Sequence, residues 1–391
     1  MDFAPGERWL YNNSGYILLG AVIEKVSGQS YEDFVRTKIF EPLGMKNSYY
    51  DRTERVIPRR VKGYQQNAGT FQNAPYLSMS QPYAAGSLAS NVDDLAIWNS
   101  ALWTGKLVKK QSLAKAHTAQ ILKDGRGTAY GYGWSLGSCQ GHRSVEHGGG
   151  IHGFATYVLS LPDDDIYAAI LTNGSAGPGI SPEDLAFRMA AIALGQPAAE
   201  PEAITLRPEQ VDRCTGVYAI DDKERRTITR EGAQLYSQRS GGEKRAVYPV
   251  SETEFFFRGS TTRLVFLPDA SGRITLVQTR PRVGMMEEAK RIEEKIVERA
   301  EVPVSPAILE RYVGTYELAP TFKLTVTLEN GNLMTQATGQ AKVQVFPETA
   351  TKFFLKVTDA QIEFLVDEAG NIGSLKPYQG GHTMSARKVK E

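Results

Sequence analysis

Phe154-Ala155-Thr156-Tyr157-Val158-Leu159-Ser160-Leu161, then Pro162-Asp163-Asp164-Asp165, then Ile166-Tyr167-Ala168-Ala169-Ile170-Leu171 is the stretch that decides the fold. Two runs rich in β-branched and aromatic residues flank a turn sequence, which predicts an antiparallel hairpin. Helical patterns surround it. Gly15 to Val26 carries Ile17, Leu18, Ala21, Val22 and Val26 at near-helical spacing, with Gly28 just past the end. Ser30 offers an N-cap for a second helix over Tyr31 to Phe40, stopped by Pro42 and Gly44. A third opens at Ser90 or Asn91 with Asp93 and Asp94 in its first turn, carries Leu95, Trp98 and Leu102, and ends at Gly105. Beyond the strands, Ser181-Pro182-Glu183 starts a closing helix with Leu185, Met189 and Ile192, ended by Gly195. Helices, then antiparallel strands, then a closing helix indicate an α+β fold rather than a parallel doubly wound sheet.

After the linker-like Pro197-Ala198-Ala199-Glu200-Pro201 the chain becomes β-rich and repeats itself. Pro208, Arg213, Gly216 and Tyr218 recur as Pro306, Arg311, Gly314 and Tyr316, each 98 positions later. Phe256, Phe266 and Gly272 recur as Phe354, Phe364 and Gly370 in the same register. Short strand-like runs separated by Gly, Asp and Asn mark each copy as an up-and-down barrel or sandwich. The expected domains are therefore 1–198, 204–300 and 301–391.

Composition narrows the function classes. Hydrophobic residues at 41% and charged residues at 23% permit buried cores. A net charge of +1, from 45 basic and 44 acidic residues, gives no electrostatic footprint for nucleic acid or an anionic membrane. Cys139 and Cys214 are too few and too far apart for a disulfide framework or a thiolate metal site. No run of eighteen apolar residues exists, and Met1 to Glu7 lacks the basic and apolar regions of a signal peptide.

Two short elements carry chemistry. Tyr11-Asn12-Asn13 stands just before a helix, where a tyrosine can relay a proton if a nearby cation lowers its pKa and an asparagine can hold a substrate amide. The plainer reading is a packing tyrosine with Asn13 as an N-cap. Far downstream, His147-Gly148-Gly149-Gly150 places a titratable side chain beside glycines that let an extended ligand approach a strand backbone.

Their surroundings sharpen the reading. Phe3-Ala4-Pro5-Gly6, Trp9, Leu18-Leu19-Gly20, Ser27-Gly28 and Pro42-Leu43-Gly44-Met45 lie around the first element. Ala85-Gly86-Ser87-Leu88, Asp94-Leu95-Ala96, Tyr130-Gly131-Tyr132-Gly133-Trp134 and Asn173 lie between and after. Together these residues resemble the serine β-lactamase-like family of class C β-lactamases, penicillin-recognising D-peptidases and related esterases. The repeated β pair makes the layout most similar to three-domain D-aminopeptidases. The resemblance implies a partial β-lactamase-like catalytic domain followed by two small antiparallel β-barrels of lipocalin-like type. It also implies acylation of a serine by an amide, ester or β-lactam carbonyl, without a cofactor. By residue matching, Tyr11 would assist proton transfer, His147 would tune it, Asn13, Gly148 and Gly149 would hold the substrate, and the Gly150 N–H would be an oxyanion donor.

The family's nucleophile is the serine of a Ser-x-x-Lys element that precedes the Tyr-x-Asn element, and no serine precedes Tyr11. Ser112-Leu113-Ala114-Lys115 and Ser385-Ala386-Arg387-Lys388 match the spacing but come later, in a polar helix and a strand. Gly133-Trp134-Ser135-Leu136-Gly137 matches a nucleophile elbow, but no helix follows it. Gly148-x-Gly150-x-x-Gly153 has dinucleotide spacing but runs into a strand. His142, His147 and His152, five apart, alternate faces on a strand and argue against a shared metal. The expectation is an N-terminally truncated serine hydrolase, inactive by itself, with exposed apolar surface that a complementing N-terminal segment or a second copy would cover. A non-catalytic peptide- or ligand-binding protein is the rival. A periplasmic or secreted setting is what the family suggests.

Overall fold

The computed structural model describes residues 3–52, 54–67, 70–174, 181–296, 299–320, 322–338, 340, 342–367, 370–380 and 382–389, with the backbone alone at Asn67 and His382. Met1 and Asp2, part of the stretch read for a signal peptide, lie outside the described residues. The chain divides into two units: Met1–Gln66 with Thr70–Glu200 and Pro281–Met285, and Asn67–Gly69 with Pro201–Arg280 and Met286–Glu391.

In the first unit, helix α1 (Ser14–Ser27) ends at Gly28, whose φ of +70° closes the last turn. Its N-terminus is capped by Asn12, whose Oδ1 accepts from the Gly15 N–H at 2.9 Å; Asn13 makes no cap. Helix α2 (Tyr31–Val35) is capped by Ser30, as expected. The expected single helix to Phe40 instead widens into a π-helical stretch over Arg36–Phe40, followed by α3 (Glu41–Leu43). The wider turn lets Val35 and Phe40, five residues apart, enter the same buried cluster with Tyr31, Met45 and Tyr50. Short strands β1 (Tyr49–Tyr50) and β4 (Leu88–Ala89) pair with each other, as do β2 (Tyr64–Asn67) and β3 (Thr70–Asn73). Helix α4 (Val92–Trp103) starts at Asn91, whose side chain accepts from Asp94 N–H at 2.9 Å, and α5 spans Lys110–Ala116.

The hairpin read from the sequence is the centre of a four-stranded antiparallel meander. Strands β5 (Ser135–Cys139), β6 (His142–Ile151), β7 (Phe154–Leu161) and β8 (Ile166–Thr172) lie in that order. Helix α6 (Pro182–Ala193), capped by Ser181, covers one face. Alternate residues Tyr157, Leu159 and Leu161 of β7 meet Ala186, Ala190 and Ala191, small side chains that let the helix come close. By contrast α1 buries only Gly20 among its residues, leaving Leu18, Leu19, Val22 and Val26 exposed.

The second unit opens with α7 (Pro208–Asp212). Eight strands follow: β9 (Gly216–Ala219), β10 (Arg225–Glu231), β11 (Gln234–Arg239), β12 (Arg245–Pro249), β13 (Glu254–Phe256), β14 (Arg263–Pro268), β15 (Ile274–Arg280) and β16 (Glu287–Ile292). They close into an antiparallel barrel, β16 pairing back to β9. After α8 (Pro306–Tyr312) come β17 (Gly314–Ala319), β18 (Phe322–Glu329), β19 (Asn332–Ala337), β20 (Val343–Gln344), β21 (Phe346–Pro347), β22 (Lys352–Phe354), β23 (Ala360–Val366), β24 (Ile372–Gln379), β25 (His382–Thr383) and β26 (Ala386–Lys388). Their sheet runs from β20 round to β21, and only Val345 separates those two strands in the chain, so this ring is nearly closed.

The 98-residue offset holds in detail. Tyr218 donates its hydroxyl proton to Cys214 O at 2.8 Å, and Tyr316 donates to Tyr312 O at 2.8 Å. Arg213 reaches Gly272 O and Arg311 reaches Gly370 O. Gly216 and Gly314 both sit at positive φ, +148° and +146°. Each barrel is filled by its own side chains, Phe255 and Phe266 in one and Phe353 and Phe364 in the other.

Candidate active site

The glycine-rich element occupies β6, where antiparallel pairing sets His147 opposite Val158, Gly148 opposite Tyr157, Gly149 opposite Thr156 and Gly150 opposite Ala155. The glycines are exposed and not equivalent. A Cβ at Gly148 would stand 2.9 Å from Tyr157 Cδ2, whereas one at Gly150 would meet nothing within 4 Å. Gly148 is thus glycine for packing, whereas Gly150, further along the same strand, has open space around its α-carbon.

The imidazole of His147 is held at both ends. Its Nδ1 lies 2.6 Å from Gly148 O, and a carbonyl oxygen only accepts, so Nδ1 carries the proton. Nε2 is then the acceptor for the Tyr130 hydroxyl at 2.8 Å. Tyr130 belongs to the Tyr130-Gly131-Tyr132-Gly133-Trp134 stretch, to which the sequence alone assigns no site role. Burial, with Tyr16 and Tyr11 nearby, pushes its phenol well above the ordinary range, so it remains a donor.

Tyr11 completes an aromatic cluster. Its ring centroid lies 6.0 Å from that of His147 and 6.1 Å from that of Tyr130, and Trp9 lies 5.4 Å from Tyr130. The Tyr11 hydroxyl donates to Asn13 Oδ1 at 3.4 Å, joining the two members of the first element. Partial burial, then Tyr16, raises the Tyr11 pKa. The phenol is therefore protonated at neutral pH, suited to donating a hydrogen bond or relaying a proton; no cation is among the charges that shift it. Trp9, Tyr11, Asn12, Tyr16, Tyr130 and Tyr132 line a cavity of about 370 Å³ beside it.

Other sequence candidates lie apart. Ser112 and Lys115 are exposed on α5, and Ser135 begins β5. His142 bonds Asp164 at 2.8 Å and His152 lies 3.3 Å from Pro75 O, so the three histidines of β6 and its turn have separate partners. Asn173, after β8, donates to Lys62 O at 3.2 Å.

With this geometry in view, the relatives are informative. The Beta-lactamase family profile matches residues 1–192, and a domain of unknown function, DUF3471, matches residues 298–388. Penicillin-binding protein 4* of Bacillus subtilis (strain 168) is 30% identical over 293 residues, 68% of this chain and 62% of that protein. A D-aminopeptidase of Gluconobacter oxydans (strain 621H) is 22% identical over 226 residues, 56% of this chain and 42% of that protein. Among solved structures, the octameric penicillin-binding protein homologue from Pyrococcus abyssi has a TM-score of 0.47 at 27% identity, covering 73% of this chain and 66% of that one. Residues 1–192 are a domain of the serine β-lactamase-like family. The chain spans 62% or less of the length of these two curated relatives.

Proposed function

We propose that residues 1–198 carry one wall of the acyl-transfer site of a serine hydrolase acting on amide, ester or β-lactam bonds, as a D-peptidase, carboxypeptidase or esterase would. The observation that carries this reading is the His147 imidazole, fixed by Tyr130 at 2.8 Å with the Tyr11 ring centroid 6.0 Å away, on the strand that continues into the exposed Gly148, Gly149 and Gly150. In this reading Tyr11 passes a proton between nucleophile and leaving group, and His147 orients the phenols. Asn13, Gly148 and Gly149 align the substrate, and the Gly150 N–H stabilises the oxyanion, an interaction typically worth about 3 kcal/mol. In this reading residues 204–300 and 301–391 form two further domains that supply none of these residues.

We further infer that the nucleophile is supplied from outside these 391 residues, because both Ser-x-x-Lys matches follow Tyr11 in the chain, whereas the family's element precedes it. The exposed Leu18, Leu19, Val22 and Val26 of α1 give a complementing segment, or a second copy, an apolar seat. Covalent labelling by a fluorophosphonate or a penicillin tests this. The 391-residue chain is expected to remain unlabelled by itself; labelling would show that it has its own nucleophile, and the modified residue would identify it. Reversible saturable binding of an acylated D-peptide, with no turnover once a complementing segment is supplied, would favour the non-catalytic binding protein.

A further inference from the structure

A buried cation lies on the face of the sheet opposite His147. Glu146 immediately precedes His147 on β6 and is fully buried, its side chain on the α6 side. Four donors converge on its carboxylate. Arg282 approaches as a fork, Nη1 to Oε1 at 2.8 Å and Nη2 to Oε2; Tyr157 donates to Oε2 at 2.8 Å, and Ser144 donates to Oε1. The Arg282 side chain is 7% exposed, reaches Glu183 at 3.4 Å and lies over the Phe187 ring of α6 at 5.0 Å.

Arg282 comes from Pro281–Met285, a segment between β15 and β16 that belongs to the first unit. Val283 makes an antiparallel bridge with Gly137 of the edge strand β5. A Cβ at Gly137 would stand 3.2 Å from Val283 Cγ2 and 3.3 Å from Arg282 O, so the glycine permits the approach. The bridge shields the sheet edge and sets the guanidinium against Glu146.

From Glu146 the contacts lead to the opposite face. Its partner Tyr157 is the residue whose ring packs against Gly148, and Gly148 O holds His147 Nδ1. We propose that Arg282 is a positioning residue of the candidate site: through Glu146 and Tyr157 it fixes β6 at His147–Gly150, and so the hydrogen bond between His147 and Tyr130. This rests on reading β6 as the site wall, but its test does not need turnover. A buried carboxylate stripped of its cation has to recruit water, take up a proton or move, and each outcome disturbs the Tyr157 hydroxyl.

The test uses the full chain labelled with ¹⁵N-histidine and ¹⁵N-glycine, with His147 identified among the five histidines by the signal lost in H147Q. In R282M the His147 ring is expected to lose its single Nδ1–H tautomer pattern, and the Gly148–Gly150 amides to shift. R282K, which keeps the charge but not the fork, is expected to fall between. The double variant E146Q/R282M, with no charge left to compensate and a side-chain amide still able to accept from Tyr157, is expected to restore most of the wild-type spectrum. A purely structural role would lower thermal stability without altering the folded-state signals. A folded R282M with unchanged His147 and glycine signals would therefore overturn the proposal, as would a double variant as perturbed as R282M. Should R282M not fold, R282K and the double variant decide: unchanged signals in R282K, or unrestored signals in the double variant, overturn it.

Discussion

Replacing Gly148 by alanine gives a sharp test of how the site wall is built. The new Cβ would lie 2.9 Å from Cδ2 and 3.2 Å from Cε2 of Tyr157. That ring is only 9% exposed, with its hydroxyl tied to the buried Glu146 at 2.8 Å. Pushing it aside costs about 1–3 kcal/mol as overpacking. If the hydroxyl leaves the carboxylate, about 1.5–3 kcal/mol of charge-assisted hydrogen bond is lost as well. Alanine's lower backbone entropy in the unfolded chain returns about 0.5–1 kcal/mol, leaving a net loss of about 1.5–5.5 kcal/mol when the hydroxyl is displaced and about 0–2.5 kcal/mol when it is not. For a unit of this size each kcal/mol lost corresponds to a drop of roughly 2–4 °C in Tm. All four tryptophans, Trp9, Trp98, Trp103 and Trp134, lie in the first unit, so intrinsic tryptophan fluorescence during urea or thermal unfolding reports on that unit. Gly150→Ala is the matched control: its Cβ meets nothing within 4 Å, so only the unfolded-chain gain of about 0.5–1 kcal/mol should remain. Equal stability of the two variants would refute the packing argument.

Three further outcomes follow from separate contacts. Tyr130→Phe removes the donor to His147 Nε2, with an expected cost of about 1 kcal/mol and a change in the His147 ring ¹⁵N spectrum; an unchanged ring spectrum would mean that the bond is not made in solution. Burial, then the charge of Arg143, pushes His117 down to about 4, while the unfolded ring takes a proton near pH 6.5. Its contribution is therefore fully present above pH 6.5 and is lost as pH falls towards 4, by at most about 1.4 kcal/mol per pH unit. Replacing this ring, packed against Trp103 and Trp134, by phenylalanine should flatten that slope in urea titrations; an unaltered slope would assign the acid sensitivity elsewhere. Tyr218→Phe and Tyr316→Phe each leave a carbonyl without its 2.8 Å partner, and each should destabilise its barrel by about 1–3 kcal/mol in chemical denaturation. A neutral result at either position would break the equivalence of the two copies.

Much of the fold was legible because its signals are local. Ser30, Asn91 and Ser181 cap the helices whose starts they mark, and Pro162–Asp165 turns the hairpin. The 98-residue register predicted two similar β domains, and the paired tyrosine anchors give it a physical basis. The π-helical stretch at Arg36–Phe40 was not legible, because five-residue spacing of buried side chains carries no standard periodic signature. Asn13 and Asn12 are both plausible caps by residue type, and only backbone geometry assigns the role to Asn12. The site shows the same division. Tyr11, Asn13 and His147 come from compact motifs, and the structure brings them together. Tyr130 has no role legible in its motif, since nothing in its spacing points to a residue 17 positions away. Arg282, 136 positions from Glu146, gives no local sign at all.

That interval of 136 residues also has a meaning in time. A ribosome adding about 5–20 residues per second exposes Glu146 roughly 7–27 s before it delivers Arg282. The meander β5–β8 and helix α6 are complete well before then, yet the carboxylate between them lacks its cation. During synthesis that carboxylate has to be hydrated or protonated, and the cleft between sheet and helix cannot close dry around it. The residues next to His147 therefore take their final places only once nearly all of the first barrel has been made, while the second barrel, β17–β26, is still to come.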